Sequence, residues 1–168
     1  MRSLIIDGYN VIMATPAYRQ IAENDLDSAR VALLSDVSAF AHGTFRATVV
    51  FDGHKNPESD GQPHVIGGVT VVFSRHGVEA DSVIESLAQS ARDAGDEAVV
   101  VTSDAQMQWT VVGAGIARMS SAEFAGEIRA DDAEWREHAP AGSSRSRLED
   151  RIAGETREQL ARWARGLP

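Results

Sequence analysis

Five short strand-like runs constrain this chain more than any other feature. They are Leu4-Ile5-Ile6, Ala47-Thr48-Val49-Val50-Phe51, Val69-Thr70-Val71-Val72-Phe73, Ala98-Val99-Val100-Val101 and Ile116-Ala117-Arg118-Met119. Nearly continuous apolar strands are buried on both faces, as in a parallel sheet. Helical patterns separate them. Ala29, Leu33, Val37 and Phe40 recur near a 3.6-residue period over about 27–41, with Asp25 or Asp27 as N-cap. Val83, Ile84, Leu87 and Ala91 do the same over about 80–94, with Gly95 as the stop. Thr102-Ser103-Asp104 opens a further helix, and Ser120 with Glu123 has capping-box spacing for another. Residues 54–68 hold Pro57, Gly61, Pro63, Gly67 and Gly68 and are expected to form a loop. Strand–helix alternation of this kind predicts a doubly wound α/β domain with a mainly parallel sheet of about five strands. The expected domain spans 1–138. Residues 139–168 are expected to be a linker and a C-terminal helical tail lined by Leu148, Ile152, Leu160 and Trp163, with Gly154 dividing it in two.

Polar signatures close three of the strands: Asp7-Gly8-Tyr9-Asn10, Asp52-Gly53 and Thr102-Ser103-Asp104. The strand at 69–73 leads through Arg75-His76-Gly77 to Glu79-Ala80-Asp81 at a helix start. In an open parallel sheet, ligands bind outside the carboxyl ends of the strands, near a switch in strand order. All these carboxylates are therefore expected on one edge. Any single one could be an N-cap or a turn former; four strand ends together suggest a site. Carboxylates sharing a crevice repel one another unless a cation neutralises them or one pKa rises. The chain has no cysteine, which excludes disulfides and thiolate zinc sites. Its five histidines, His42, His54, His64, His76 and His138, show no ligand spacing, although His54 and His76 come nearest the crevice. An oxygen-only donor set suits Mg²⁺ or Mn²⁺. Such an ion orients a phosphodiester, activates water and stabilises a departing oxygen.

The segments Asp-Gly-Tyr-Asn-Val-Ile at 7–12, Val-Phe-Asp-Gly at 50–53, Glu-Ala-Asp at 79–81 and Thr-Ser-Asp at 102–104 resemble the NYN branch of the PIN-like nucleases. Their order and spacing, and the tail residues Leu148, Arg151, Ile152, Glu158, Gln159, Leu160, Trp163, Arg165 and Gly166, are similar to the bacterial YacP-type proteins. The resemblance covers most of the chain. It implies a three-layer α/β/α PIN-like fold and divalent-metal-dependent endoribonuclease activity. Asp7, Asp81 and Asp104 would be the catalytic and metal residues, with Asn10, Asp52, Glu79 and Ser103 positioning the substrate. Some members act on mRNA in association with the ribosome, which implies RNA and ribosomes as partners. Ser82 follows Asp81 where many NYN proteins have a second Asp, leaving open whether the site takes one metal or two.

Charge limits how RNA could be reached. The chain carries 16 basic and 25 acidic side chains, and residues 77–139 alone hold 4 and 13. A generic nucleic-acid binder needs a basic face, so a partner is expected to present the substrate. Six arginines in the tail, at 145, 147, 151, 157, 162 and 165, are the remaining basic group. Two other readings stay open: a non-catalytic RNA- or ribosome-binding module, and a Mg²⁺-dependent small-molecule phosphatase. Ile6-Asp7-Gly8 suggests an aspartyl phosphatase, but Tyr9 stands where that chemistry wants a second acid. Gly113-Ala114-Gly115 leads into a strand and is expected to be a turn, not a dinucleotide-binding loop. Trp109 is expected in packing, and Trp135 and Trp163 in packing or partner contacts. The opening apolar run is too short for a signal peptide, and no stretch reaches membrane-span length. A cytoplasmic monomer or weak dimer is expected.

Overall fold

A computed structural model describes residues 1–104, 115–138 and 145–167. The chain forms a six-stranded sheet: β1 (Arg2–Asp7), β2 (Phe45–Phe51), β3 (Pro63–Ile66), β4 (Val69–Phe73), β5 (Ala98–Val101) and β6 (Ile116–Met119). The spatial order is β3-β4-β2-β1-β5-β6, and every pairing is parallel except β3 with β4. The described helices are α1 (Gly8–Ala14), α2 (Pro16–Asn24), α3 (Leu26–Ala41), α4 (Ala80–Asp93), α5 (Ser121–His138) and α6 (Arg145–Ala164). The α/β class with its mainly parallel sheet is as the sequence predicts.

Alternation along the strands divides the core. Leu4, Ile6, Val49, Phe51, Val71, Phe73 and Val101 point to one face, where they meet Val11, Ile12, Leu33, Val37, Phe124 and Leu160 from the helices. Ile5, Val50 and Val100 point to the other and pack on Ala80, Ile84, Ala88 and Ala91 of α4. Among the described residues, the chain crosses that second face from β4 through α4 to β5. Strand order therefore switches beside β1, with β2 on one flank and β5 on the other.

The helix ends obey their local chemistry. Asp25 accepts from the Asp27 N–H at the start of α3. Gly95 turns the chain at φ 73 after α4, with its N–H bonded to Arg92 O and Asp96 N–H to Ala91 O. At α5, Ser120 N–H donates to Glu123 Oε2 at 2.7 Å, and Glu123 N–H donates to Ser120 Oγ at 3.2 Å, completing the predicted capping box.

Two expectations change, and one segment given no element above takes shape. Residues 54–68 are not wholly loop, because Pro63–Ile66 adds an antiparallel edge strand. Gly67 and Gly68, both at positive φ, make the two-residue turn such a hairpin needs. Residues 8–24 form two short helices parted at Thr15, with Pro16 in the first turn of α2. Gly154 does not divide the C-terminal helix, which runs unbroken through it. The expected helix after Asp104, Trp109 and the glycine at 113 lie outside the described residues, as do the 139–144 linker and the side chain of Trp135.

That last helix lies along α3. Leu160 is completely buried in the main core. Arg157 pairs with Asp25 at 2.8 Å, Asn56 Nδ2 donates to Ala164 O at 2.9 Å, and Trp163 stacks on His64 with ring centroids 3.9 Å apart. Among the described residues no helix is long and apolar enough to cross a membrane. If the helix is integral to the core, Leu160→Ala should lower unfolding free energy by about 2–4 kcal/mol. Urea titration followed by circular dichroism measures this; a loss below about 0.5 kcal/mol would mean that the helix contributes little.

Candidate active site

The crevice begins at Asp7, where β1 ends and α1 starts without a connecting loop. Asp7 caps α1 by accepting from Asn10 N–H at 3.2 Å. Gly8 permits the abrupt start: a Cβ there would run into the Phe51 ring and Val49. The Asn10 side chain then spans the switch point. Its Oδ1 accepts from Ser103 N–H at 2.8 Å and from Ser121 Oγ at 2.7 Å, while Ser103 Oγ accepts from Ser121 N–H at 3.0 Å. Asn10 and Ser103 thus tie α1, the end of β5 and the start of α5 together.

Four carboxylates face this edge. Burial pushes the Asp7 carboxyl up to about 6; the Asn10 N–H opposes the rise, and the charges of Asp81, Asp104 and Asp52 add to it. Asp81, in the first turn of α4, is raised by burial and then by Asp104, Glu79, Glu85 and Asp52. Glu79 is the N-cap residue of α4, but its side chain makes no capping bond. Asp104 is exposed, and its N–H donates to Thr102 Oγ1 at 3.1 Å. The structure brings Asp52, Asp81 and Asp104 within electrostatic reach of Asp7, and Asp52 and Asp104 within reach of Asp81. Among the described residues, no three acidic or imidazole groups converge closely enough to hold a metal ion as they stand.

Asp52 differs from the other three. Its Oδ1 accepts from Ser74 Oγ at 3.2 Å, Ala80 N–H at 3.3 Å and His54 N–H at 3.5 Å, and its Oδ2 lies 2.5 Å from His54 Nδ1. Burial works against its ionisation, but the bonds from His54 and Ala80 outweigh it, so its pKa is lowered. Sequence reasoning missed Ser74 and Ser121, both buried. Ser74 follows β4 directly and belongs to the same strand-end pattern as the acids. Ser121 meets Asn10 across 111 positions and has no local signal. It also missed the cluster beneath the crevice: Arg30, almost wholly buried, bonds Tyr9 OH and Asp27, and its guanidinium lies over the Tyr9, Phe51 and Phe73 rings.

The YacP-like NYN domain family matches this chain over residues 4–165. The uncharacterized protein YacP of Bacillus subtilis (strain 168) is 34% identical over 131 residues, 76% of this chain and 75% of that protein. The crystal structure of Rae1 (YacP) from Bacillus subtilis superposes with a TM-score of 0.70 at 29% identity, covering 99% of this chain and 96% of that one. The crystal structure of a tryptophan-to-leucine mutant of that protein gives 0.69 at 28% identity, covering 96% and 98%.

Asp7 makes the site costly to fold. Its carboxyl titrates at about 6 in the folded chain, against an ordinary 3.8. The folded state therefore binds this proton more tightly than the unfolded chain does. The stabilising contribution is complete below 3.8 and is lost as pH rises through 6. At about 1.4 kcal/mol per tenfold change in proton affinity, the penalty at high pH is on the order of 3 kcal/mol. Asp7→Asn should therefore be more stable than wild type by about 1–3 kcal/mol at pH 8 in EDTA. The gain should shrink as pH falls from 6 toward 4. Denaturant titrations across that range test the sign; a destabilised Asp7→Asn protein at pH 8 would contradict it.

Proposed function

Because the chain belongs to the YacP-like NYN domain family, whose domain is of nuclease type, we propose that it is a divalent-metal-dependent endoribonuclease acting on mRNA in association with the ribosome. One observation carries this reading: Asp7 at the end of β1, Asp81 in the first turn of α4 and Asp104 just beyond β5 come to the carboxyl edge at the strand-order switch, where each acts on at least one of the others electrostatically.

The donor set fits Mg²⁺ or Mn²⁺. It is all oxygen, and burial together with mutual repulsion disfavours ionisation of Asp7 and Asp81, a cost that a hard cation offsets. Asp7, Asp81 and Asp104 would hold the ion. When bound, such an ion polarises a phosphodiester and lowers the pKa of a water. The chain's own contribution is placement. Asp7 is fixed by the start of α1, and Asp81 by the first turn of α4. Asn10 and Ser103 fix the crevice walls through their mutual bonds and those to Ser121. Glu79 adds a carboxylate that acts on Asp81.

The same charges oppose a free polyanion. A docking partner that already threads mRNA raises its effective concentration at the crevice without requiring a basic face. The tail arginines contribute less to docking than their number implies, since Arg157 is bound to Asp25.

Asp7→Asn and Asp81→Asn should each lower cleavage by more than the roughly 10–100-fold that loss of an outer-shell partner costs a metal site, with unchanged circular dichroism. EDTA should abolish cleavage, and Mn²⁺ should restore it. Cleavage of one mRNA is to be compared with and without translating ribosomes, at matched Mg²⁺ and salt. Full activity in purified Asp7→Asn protein would refute the mechanism, and equal rates in the two ribosome reactions would refute partner dependence.

A further inference from the structure

The Asp52–His54 pair makes a contact that the metal reading leaves unused. Asp52 spends both its oxygens on protein donors, four bonds in all, and has little capacity left for an ion. What it does instead is fix one ring. His54 Nδ1 lies 2.5 Å from Asp52 Oδ2, and the backbone of His54 is held from both sides, by its own N–H to Asp52 Oδ1 and by Gly77 N–H to its carbonyl at 2.9 Å. Asn56 N–H closes the turn onto Gly53 O at 2.9 Å. The side chain is 30% exposed, covered enough to be ordered and open enough to be reached. Among the described residues, Asp52 is the ring's only hydrogen-bonding partner.

In a neutral imidazole whose Nδ1–H donates to a carboxylate, Nε2 keeps its lone pair and is an acceptor only. An acceptor finds nothing to bond on a phosphate oxygen or on another ionised carboxylate. It requires a hydroxyl or amine proton. The ribose 2′-hydroxyl is the donor that every nucleotide of an RNA backbone carries and DNA lacks. The ring stands just beyond the end of β2, at the same edge as Asp7, and the charge of Asp52 reaches both Asp7 and Asp81.

We propose that His54, oriented by Asp52, is a substrate-contacting specificity residue whose Nε2 accepts a hydrogen bond from a ribose 2′-hydroxyl beside the cleaved bond. The inference rests on the nuclease reading above and adds to it the group that tells RNA from DNA. Asp52 is then a positioning residue that acts through His54.

The test uses ribosome-presented mRNAs carrying a single 2′-deoxynucleotide at successive positions around the cleavage site, cut at pH 8 by wild type, His54→Asn and His54→Gln. An Asn amide nitrogen replaces Nδ1 and keeps the bond to Asp52 but offers nothing at Nε2; a Gln amide reaches the Nε2 position with an oxygen acceptor. Wild type should lose about fivefold or more in rate at one position. His54→Asn, folded by circular dichroism, should be slower on all-ribose mRNA and indifferent to that substitution, while His54→Gln retains part of the penalty. Should His54→Asn keep the full wild-type penalty, or should wild type show no sensitive position, the contact does not exist. A uniform slowing by His54→Asn that leaves the 2′-penalty intact also overturns it, in favour of the ring acting on water. If wild type cuts nothing, the nuclease reading fails. The contact is then judged by the imidazole ¹⁵N resonances of His54: a shift of Nε2 on adding an RNA oligonucleotide but not its DNA counterpart supports it, and no shift overturns it.

Discussion

Parallel pairing of β1 on both its flanks is the constraint from which the rest of this molecule follows. Ser3 to Ile6 pair with Ala98 to Val101 on one side, and Arg2 to Asp7 pair with Phe45 to Val50 on the other. In that register Asp7 leaves the sheet level with the ends of β2 and β5, so Asp52 and Thr102-Ser103-Asp104 emerge beside it. The register is not free to slip. Leu4 and Ile6 face one core and Ile5 the other, and a shift of one residue would send every side chain to the wrong face. Because apolar packing fixes the edge, the carboxylates cannot drift apart to relieve their repulsion.

The aromatic cluster under the crevice shows how one buried charge is accommodated. Arg30 has an ion-pair partner in Asp27, a hydroxyl partner in Tyr9 and the faces of three rings around its guanidinium. Removing one partner of a buried pair leaves the other uncompensated and costs several kcal/mol. Tyr9 also follows Gly8 in the first turn of α1, so the Arg30 cluster holds down the helix that Asp7 caps. Core packing and site geometry meet there.

Much of this was legible because local chemistry decided it. Apolar runs marked the parallel strands, Gly95 and the Ser120–Glu123 pair marked helix boundaries, and acids after strands pointed to the edge where the fold gathers them. What escaped depended on distant partners or on short elements. The β3–β4 hairpin needed the two glycines at 67 and 68 to be weighed as a turn between strands. The strand before them is four residues with alternate residues half-exposed, too weak a pattern to stand out among prolines and glycines. Helices α1 and α2 are seven and nine residues, too short to hold without the packing that the rest of the fold supplies. The docking of α6 rests on a buried Leu160 and a Trp163–His64 stack spanning about a hundred positions, which no window along the chain contains. In the site, Asp7, Asp52, Asp81 and Asp104 look alike as sequence. Nothing local ranks them, because their differences lie in which donors the fold turns toward each.

That ranking is the most informative result of the fold. Asp7 and Asp52 are the same residue at the ends of neighbouring strands, each followed by glycine. One is more deeply buried, with the N–H of Asn10 donating to it; the other is more open, with donors from Ser74, Ala80 and His54. The first is pushed up to about 6 and the second is held below the ordinary carboxylate value. Two carboxylates whose environments drive them apart have separate tasks. An ionised Asp52 already saturated by donors is stable as it stands and suits a fixed, orienting role. An Asp7 that resists ionisation destabilises the fold unless something positive arrives. Local rules are broken most often at functional sites, and under the proposed metal-dependent reading Asp7 is where this chain carries such a cost.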